Sequence, residues 1–439
     1  STSLFSGAWG VIANSSIDLS RYHDAELAYT RLLELTPADD ESRQDIIDGL
    51  AASIYKQGEE ANSAEDFALA AEHFLRIKTV APTSEIRPVA EYDAAAALIK
   101  LEAWSQTAEV LEAFRTAFPK HELTADATKQ LAHVYREDNQ LEKSAIEHER
   151  IARESNDPEL KRAALLTAGD LYDEVESIDN AIRIYRQYVS AYPRPLDVAM
   201  ETRYRLAEIY KDTNDRASYH AELEALIRID RQAGSERTDR SRYLAGKGAL
   251  VLAEIDYEKF EEIELRQPFE QSLARKQKQM DRAMEVFESL LDYEVPEVTA
   301  AATYYIAEIY FEFSNALMNS ERPTGLTDSE MLDYELVIEE EAYPFEEQAI
   351  TVHEENYELL SIGIYNPWVQ KSIDRLGTMM PGRYAKHEMS SGFLKSIDRY
   401  AYRMPVTDGI DGMDVDDMES NSLSEIEDLP LETAQVPGQ

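Results

Sequence analysis

The chain has 439 residues, 44% of them hydrophobic, with 86 acidic against 44 basic side chains and a formal net charge of −42. It contains no cysteine, which excludes disulfides, thiolate metal sites and a cysteine nucleophile. A chain this acidic is repelled by DNA, RNA and anionic lipid, and no run approaches the ~20 apolar residues of a membrane-spanning helix, so neither nucleic-acid binding nor direct membrane insertion is expected. The charge suits basic protein partners; it equally serves solubility at high ionic strength, where self-repulsion is screened. The length admits two or three ordinary domains or one long array. A chain that starts at Ser1 without methionine is expected to be processed or excised from something longer, and a signal peptide could have been removed.

Glycine and proline are scarce, at 16 each, and few prolines interrupt the apolar-periodic stretches, which favours helices. In chain order, helix pairs are predicted at 4–36, 40–81, 86–118, 122–154, 158–192 and 196–232. One phrase recurs through them: AASIY at 51–55, LAHVY at 131–135, AGDLY at 168–172, LAEIY at 206–210 and, further on, IAEIY at 306–310. A degenerate copy, DAAAAL ending at Leu98, fills the double gap between Tyr55 and Tyr135. A fixed period of this size marks a helical repeat array, in which no hairpin buries its apolar face alone and each covers its neighbour. The fifth unit, 165–193, shows the pattern best: Gly169 and Tyr172 on one helix, Ala181, Tyr185 and Tyr188 on the next, Pro193 as the stop. The small residues let two antiparallel helices approach and the tyrosines fill the space beside them. Ala25, Tyr29 and Pro37 repeat the pattern, as do Ala52, Tyr55, Ala70, Phe74 and Pro82. In that second pair the stretch GEEANSAED lengthens either the loop or the first helix.

After Gly234 longer helices are predicted at 238–266 and 268–293, then 297–319 and 327–341, with Pro344 breaking or kinking the acidic, aromatic stretch beyond them. A short helix begins near Pro367, and MMPGRYAKHE closes the ordered part. The expected organisation is therefore helical repeats over 1–234, a longer-helix repeat and capping region over 235–403, and a tail over 404–439. The tail holds ten acidic residues and no basic one, cannot bury enough apolar surface to offset its ordering entropy, and is read as disordered. Within it, 422–432 could be a short docking motif or merely solubilising.

No constellation argues for an enzyme, and neither a cofactor nor a metal site is expected. The eight histidines are scattered, HExxH and ExxH are absent, and so are GxGxxG, Walker and GxSxG motifs. His353, which lacks a second histidine partner, reads as a partly buried packing residue. The run 408–419 is a faint calcium-loop likeness whose oxygen shell is incomplete at Met418.

The small, aromatic and proline positions resemble the tetratricopeptide repeat, which implies an all-α, right-handed α-solenoid of helix hairpins, its last repeats covered by longer capping helices. The resemblance also implies a concave groove lined by the first helix of each pair. Carried over position by position from the phrase tyrosine, the groove residues are Asp170, Asp173 and Glu174; Glu201, Tyr204, Glu208 and Asp212, with Lys211 as an exception; and Tyr304, Glu308, Phe311 and Glu312. Lys129, His133 and Arg136 make the fourth repeat mixed. The segments 320–356 and 368–388 look like the end of large tetratricopeptide proteins of Gram-negative envelopes that accompany TolQ/TolR- or ExbB/ExbD-type motor modules. That resemblance implies a periplasmic, non-enzymatic scaffold whose acidic groove binds basic or extended segments of other envelope proteins. The alternatives are a cytoplasmic adaptor or co-chaperone-like regulator, and an enzyme with an unrecognised site in 320–390.

Overall fold

In the computed structural model, which describes residues 2–385, every regular element is helical among the described residues. Six hairpins come first: α1 (Thr2–Asp18) with α2 (Tyr22–Leu35), α3 (Arg43–Ser63) with α4 (Phe67–Val80), α5 (Arg87–Lys100) with α6 (Trp104–Ala117), α7 (Thr124–Glu137) with α8 (Leu141–Glu154), α9 (Pro158–Glu174) with α10 (Ile178–Ala191), and α11 (Leu196–Asp212) with α12 (Arg216–Gln232). Longer helices come next: α13 (Asp239–Glu261), α14 (Phe269–Leu290), α15 (Pro296–Met318) and α16 (Asp328–Glu358), then α17 (Pro367–Met379). Each helix packs on the next in the chain, and the first helices α11, α13, α15 and α17 also touch in succession. This is the stacked-hairpin, tetratricopeptide-like solenoid that the repeating phrase implies. The unit so formed ends at Met379; a single helical turn, Pro381–Tyr384, belongs to the next segment. The tail at 404–439, with its 408–419 and 422–432 runs, lies outside the described residues.

The hairpin turns explain the repetition at the level of the backbone. Ser20, Glu65, Glu102, Asn139, Glu176 and Asn214 all take the left-handed conformation, with φ between 54° and 59°. Each sits two residues past the end of the first helix of its pair. The next amide reaches back five residues: Gln140 N–H to the Tyr135 carbonyl at 2.7 Å, Ser177 to Tyr172 and Asp215 to Tyr210 at 2.8 Å each. This is the Schellman closure, which satisfies carbonyls that the helix end would leave open. At Tyr135, Tyr172 and Tyr210 the phrase tyrosine thus marks the position that accepts the closing bond; in the longer α3 that position is Ala61. A left-handed non-glycine residue costs about 1–2 kcal/mol, against about 0.5–1 kcal/mol for the extra entropy that glycine loses on folding. Glu176→Gly is therefore expected to stabilise the protein by roughly 0.5–1 kcal/mol, read as a raised urea midpoint with an unchanged m-value.

Close approach is real at Gly169, where an added Cβ would lie 2.7 Å from the Tyr185 ring, and equally at Gly58, where it would run into the Phe74 ring. Ala181, Tyr185 and Tyr188 are buried in one core with Leu171 and Tyr172. The extra residues of the second pair lengthen the helix rather than the loop, since α3 spans 21 residues. Two boundaries depart from the sequence expectation. The first is at α13, which ends at Glu261, ahead of 266: Lys276 of α14 donates from Nζ to the carbonyls of Phe260 and Ile263, at 3.1 and 2.9 Å, and closes the helix there. The second is at Pro344, which lies inside α16 and does not end it. Pro344 and Glu340, whose carbonyl the proline frees, are both exposed, so water can take the missing donor's place. Ala342, Ala349 and His353 meanwhile keep the helix seated on its core side.

Candidate functional site

The first helices α9, α11, α13 and α15, of which α11, α13 and α15 touch in succession, form the face that the sequence expectation names as the inner one. The sequence places a row of carboxylates there, and the structure shows that much of this row is already paired by a basic residue of the next first helix. Asp173 accepts from both Nε and Nη2 of Arg205, the latter at 2.7 Å. Glu201 does the same with Arg240, the second contact at 3.0 Å. Between α13 and α15 the order of charges is reversed, Lys247 of α13 meeting Glu297 of α15 at 3.0 Å. Glu308 accepts from Arg375 of α17 at 2.7 and 2.5 Å. Upstream the ladder continues with hydroxyl donors, Tyr55 to Asp93 at 2.5 Å and Tyr92 to Asp126. Sequence reasoning passed over Arg205, Arg240, Lys247 and Arg375. For Arg205 and Arg240 the signal was an opposite charge roughly one repeat away, 32 and 39 residues; Lys247 and Arg375 lie 50 and 67 residues from their partners, across the longer helices.

The remaining groove candidates of α9 and α11 differ in their surroundings. Asp170 receives the Tyr185 hydroxyl at 2.8 Å within its own hairpin. Burial lifts its carboxyl above the usual range and the Asp173 charge adds to this, against the Tyr185 hydrogen bond. Glu174 and Asp212 are exposed. Glu208 lies 3.6 Å from Lys211, so the exceptional lysine is itself a counter-ion. Tyr204 is half-buried against the core, and burial, with Glu208 adding, raises its phenol.

Tyr304, Glu308 and Phe311 are not open groove. Trp368 of α17 covers Tyr304 at 5.6 Å between ring centres, Lys371 sits over both rings, and the Arg375 guanidinium lies 4.4 Å from the Phe311 ring. Glu308 is 3% exposed. The placement of α17 as one more first helix of the stack is the physical reason. The expectation that His353 is partly buried is also corrected. It is wholly buried, 3.1 Å from Ser372 Oγ and 3.3 Å from Glu308. Asn356 donates to Ser372 Oγ at 2.9 Å and to the Ala300 carbonyl at 3.0 Å. Serine, histidine and carboxylate stand here in the order of a charge relay. All three are enclosed, however, and no substrate reaches Ser372, so the cluster fastens α15, α16 and α17 together.

Beyond that clasp the inner face keeps an acidic and aromatic stretch. Glu254 of α13 accepts the Tyr305 hydroxyl at 3.0 Å, and Tyr257 packs edge-on against Tyr305. Burial holds the Glu254 carboxyl above its usual range. Glu312 is raised by burial and then by the nearby Glu261 and Glu308 charges. Glu312, Glu261, Glu264 and Glu321 border a cleft of about 610 Å³ that Arg266 and Lys276 also line. Among the described residues no three histidine or carboxylate side chains converge as metal ligands do, and no helix is long and apolar enough to cross a membrane.

No family model and no curated protein matches the chain. Among solved structures, a tetratricopeptide repeat protein from Parabacteroides merdae is similar over 70% of this chain and 99% of its own, at 13% identity and a TM-score of 0.26. MamA from Desulfovibrio magneticus is similar over 52% of this chain and 96% of its own, at 17% identity and 0.22. The TPR2AB domain of yeast Sti1, solved in complex with pHSP90, is similar over 60% of this chain and 98% of its own, at 13% identity and 0.23. The reading of the fold rests on the hairpin packing itself, which places the Glu254–Glu312 stretch on the face shared by successive first helices.

Proposed function

We propose that the chain is a non-enzymatic protein–protein interaction scaffold whose inner face receives a basic, extended segment of another protein. The observation that carries this reading is the pair Glu254 and Glu312. Both are half-buried carboxylates held above their usual range, in a groove where Glu201, Glu297 and Glu308 have counter-ions and tyrosines supply contact area. A lysine or arginine delivered there relieves the unfavourable charge, which gives a cationic segment its advantage over an acidic one. Resemblance of 320–356 and 368–388 to envelope tetratricopeptide proteins supports a periplasmic setting, where the segment would belong to a motor-linked envelope complex. A leader sequence on the full-length gene product tests that setting, and its absence would favour a cytosolic adaptor.

The docking itself is tested with a synthetic extended Lys/Arg-rich peptide. Binding is expected to weaken steeply with added salt and to fall by roughly tenfold or more in the Glu254→Gln, Glu312→Gln double variant, about 1.4 kcal/mol. Salt-indifferent binding, or full affinity in the double variant, would sink the inner-face reading.

A further inference from the structure

We infer that the trough between α14 and α16 is a second docking surface, separate from the inner face, and that its partner is a basic amphipathic helix of another protein. The trough lies between two second helices, away from the succession of first helices that forms the inner face. Its floor is α15, through the buried Phe313. Phe269 and Leu273 of α14 form one wall; Tyr334, Val337 and Phe345 of α16 form the other. The enclosed space is about 760 Å³. That is room for several apolar side chains but not for a whole helix, so a partner inserts anchors while its backbone rides above. Apolar walls supplied by two helices favour anchors spaced at i, i+3 or i+4, and i+7 from a partner helix.

Charge decides which helix. The charged residues lining the trough are Glu270 and Glu341. Between Asp328 and Glu347, α16 carries nine acidic residues and no basic one. An acidic or neutral amphipathic helix would be repelled or indifferent, whereas lysines flanking the apolar anchors match the rim. Val337, 54% exposed, is an apolar wall residue left to water, and an inserted anchor would cover it.

The probe is a synthetic amphipathic peptide of about five helical turns, with Leu and Phe on one face and Lys on the other. A matched peptide carries Glu in place of Lys. With the full chain, the Lys peptide is expected to bind at least about tenfold more tightly than its Glu counterpart. Val337→Asp, at an exposed position that leaves thermal unfolding unchanged, should weaken the Lys peptide by a similar factor. Glu341→Lys should weaken the Lys peptide and strengthen the Glu peptide. The Glu254→Gln, Glu312→Gln variant should bind the Lys peptide normally, which separates this surface from the inner face. Equal binding of both peptides, or indifference to Val337→Asp, would overturn the proposal. So would sedimentation showing a dimer that Val337→Asp dissolves, since the occupant would then be a second copy of the chain.

Discussion

Replacing Arg375 by methionine is expected to cost about 3–5 kcal/mol, because it strands Glu308 in a site from which water is excluded. Glu308 and His353 are 3% and 0% exposed. Burial alone would push the Glu308 carboxyl up; the hydrogen bonds from His353 and Arg375, with the Arg375 charge, reverse this and hold it below its ordinary range. A carboxyl depressed on folding adds stability above its unfolded value and loses it as pH falls through the folded one. The clasp should therefore weaken in acid. Because a stacked array couples each hairpin chiefly to its neighbours, the damage should stay at this end. Amide exchange over α17 should become fast in Arg375→Met while α3 to α12 keep their protection. Adding Glu308→Gln to Arg375→Met should recover part of the loss, since removing both charges of a buried pair costs far less than removing one. Undisturbed exchange across residues 367–379, with an unfolding change under about 1 kcal/mol, would mean that the ion pair does not seat α17.

The same clasp shows where sequence reasoning reached and where it stopped. The hairpins were legible because their determinants are local and repeated. A small residue must face an aromatic, as Gly169 faces Tyr185, and the first helix ends two residues past its tyrosine at Tyr135, Tyr172 and Tyr210. The turn residues Glu65, Glu102 and Glu176 hid their role, for glutamate carries no signature of left-handed backbone, and only alignment of the repeats reveals it. Pro344 left a break and a kink both open, because its cost depends on whether the freed carbonyl is wet, a property of the packed stack. The row of acids along the first helices was legible, but its pairing was not. Counting acids gave Asp173, Glu201 and Glu308 as free anions, but their partners Arg205, Arg240 and Arg375 lie 32, 39 and 67 residues away. Burial separates the two further: Glu308 is enclosed in the clasp, whereas Glu312, four residues on, is only half-buried.

Alkali should unfold the array sharply, and tyrosine is the reason. Burial lifts the phenols of Tyr92, Tyr219 and Tyr304 to about 12. Tyr55, Tyr135, Tyr172, Tyr185, Tyr257 and Tyr305 are pushed higher still, by burial first and then by carboxylates beside them. In the unfolded chain the same phenols ionise near 10. Above that value the folded state binds more protons than the unfolded one, so stability falls as pH rises. Each such group contributes a slope of up to about 1.4 kcal/mol per pH unit between its two values, less where water still reaches the ring. Three or four acting together would remove about 5 kcal/mol within one pH unit, comparable with the whole stability of an ordinary domain. Tyrosinate absorbance and loss of helical circular dichroism should therefore rise together in one steep step above pH ~10. Smooth ionisation with the helices intact would show that the tyrosines hydrogen-bonded to Asp93, Glu112, Glu149 and Asp170 yield their protons without the stack coming apart. The buried aromatic packing credited here with joining one hairpin to the next would then have to be carried by the alanine and leucine contacts alone.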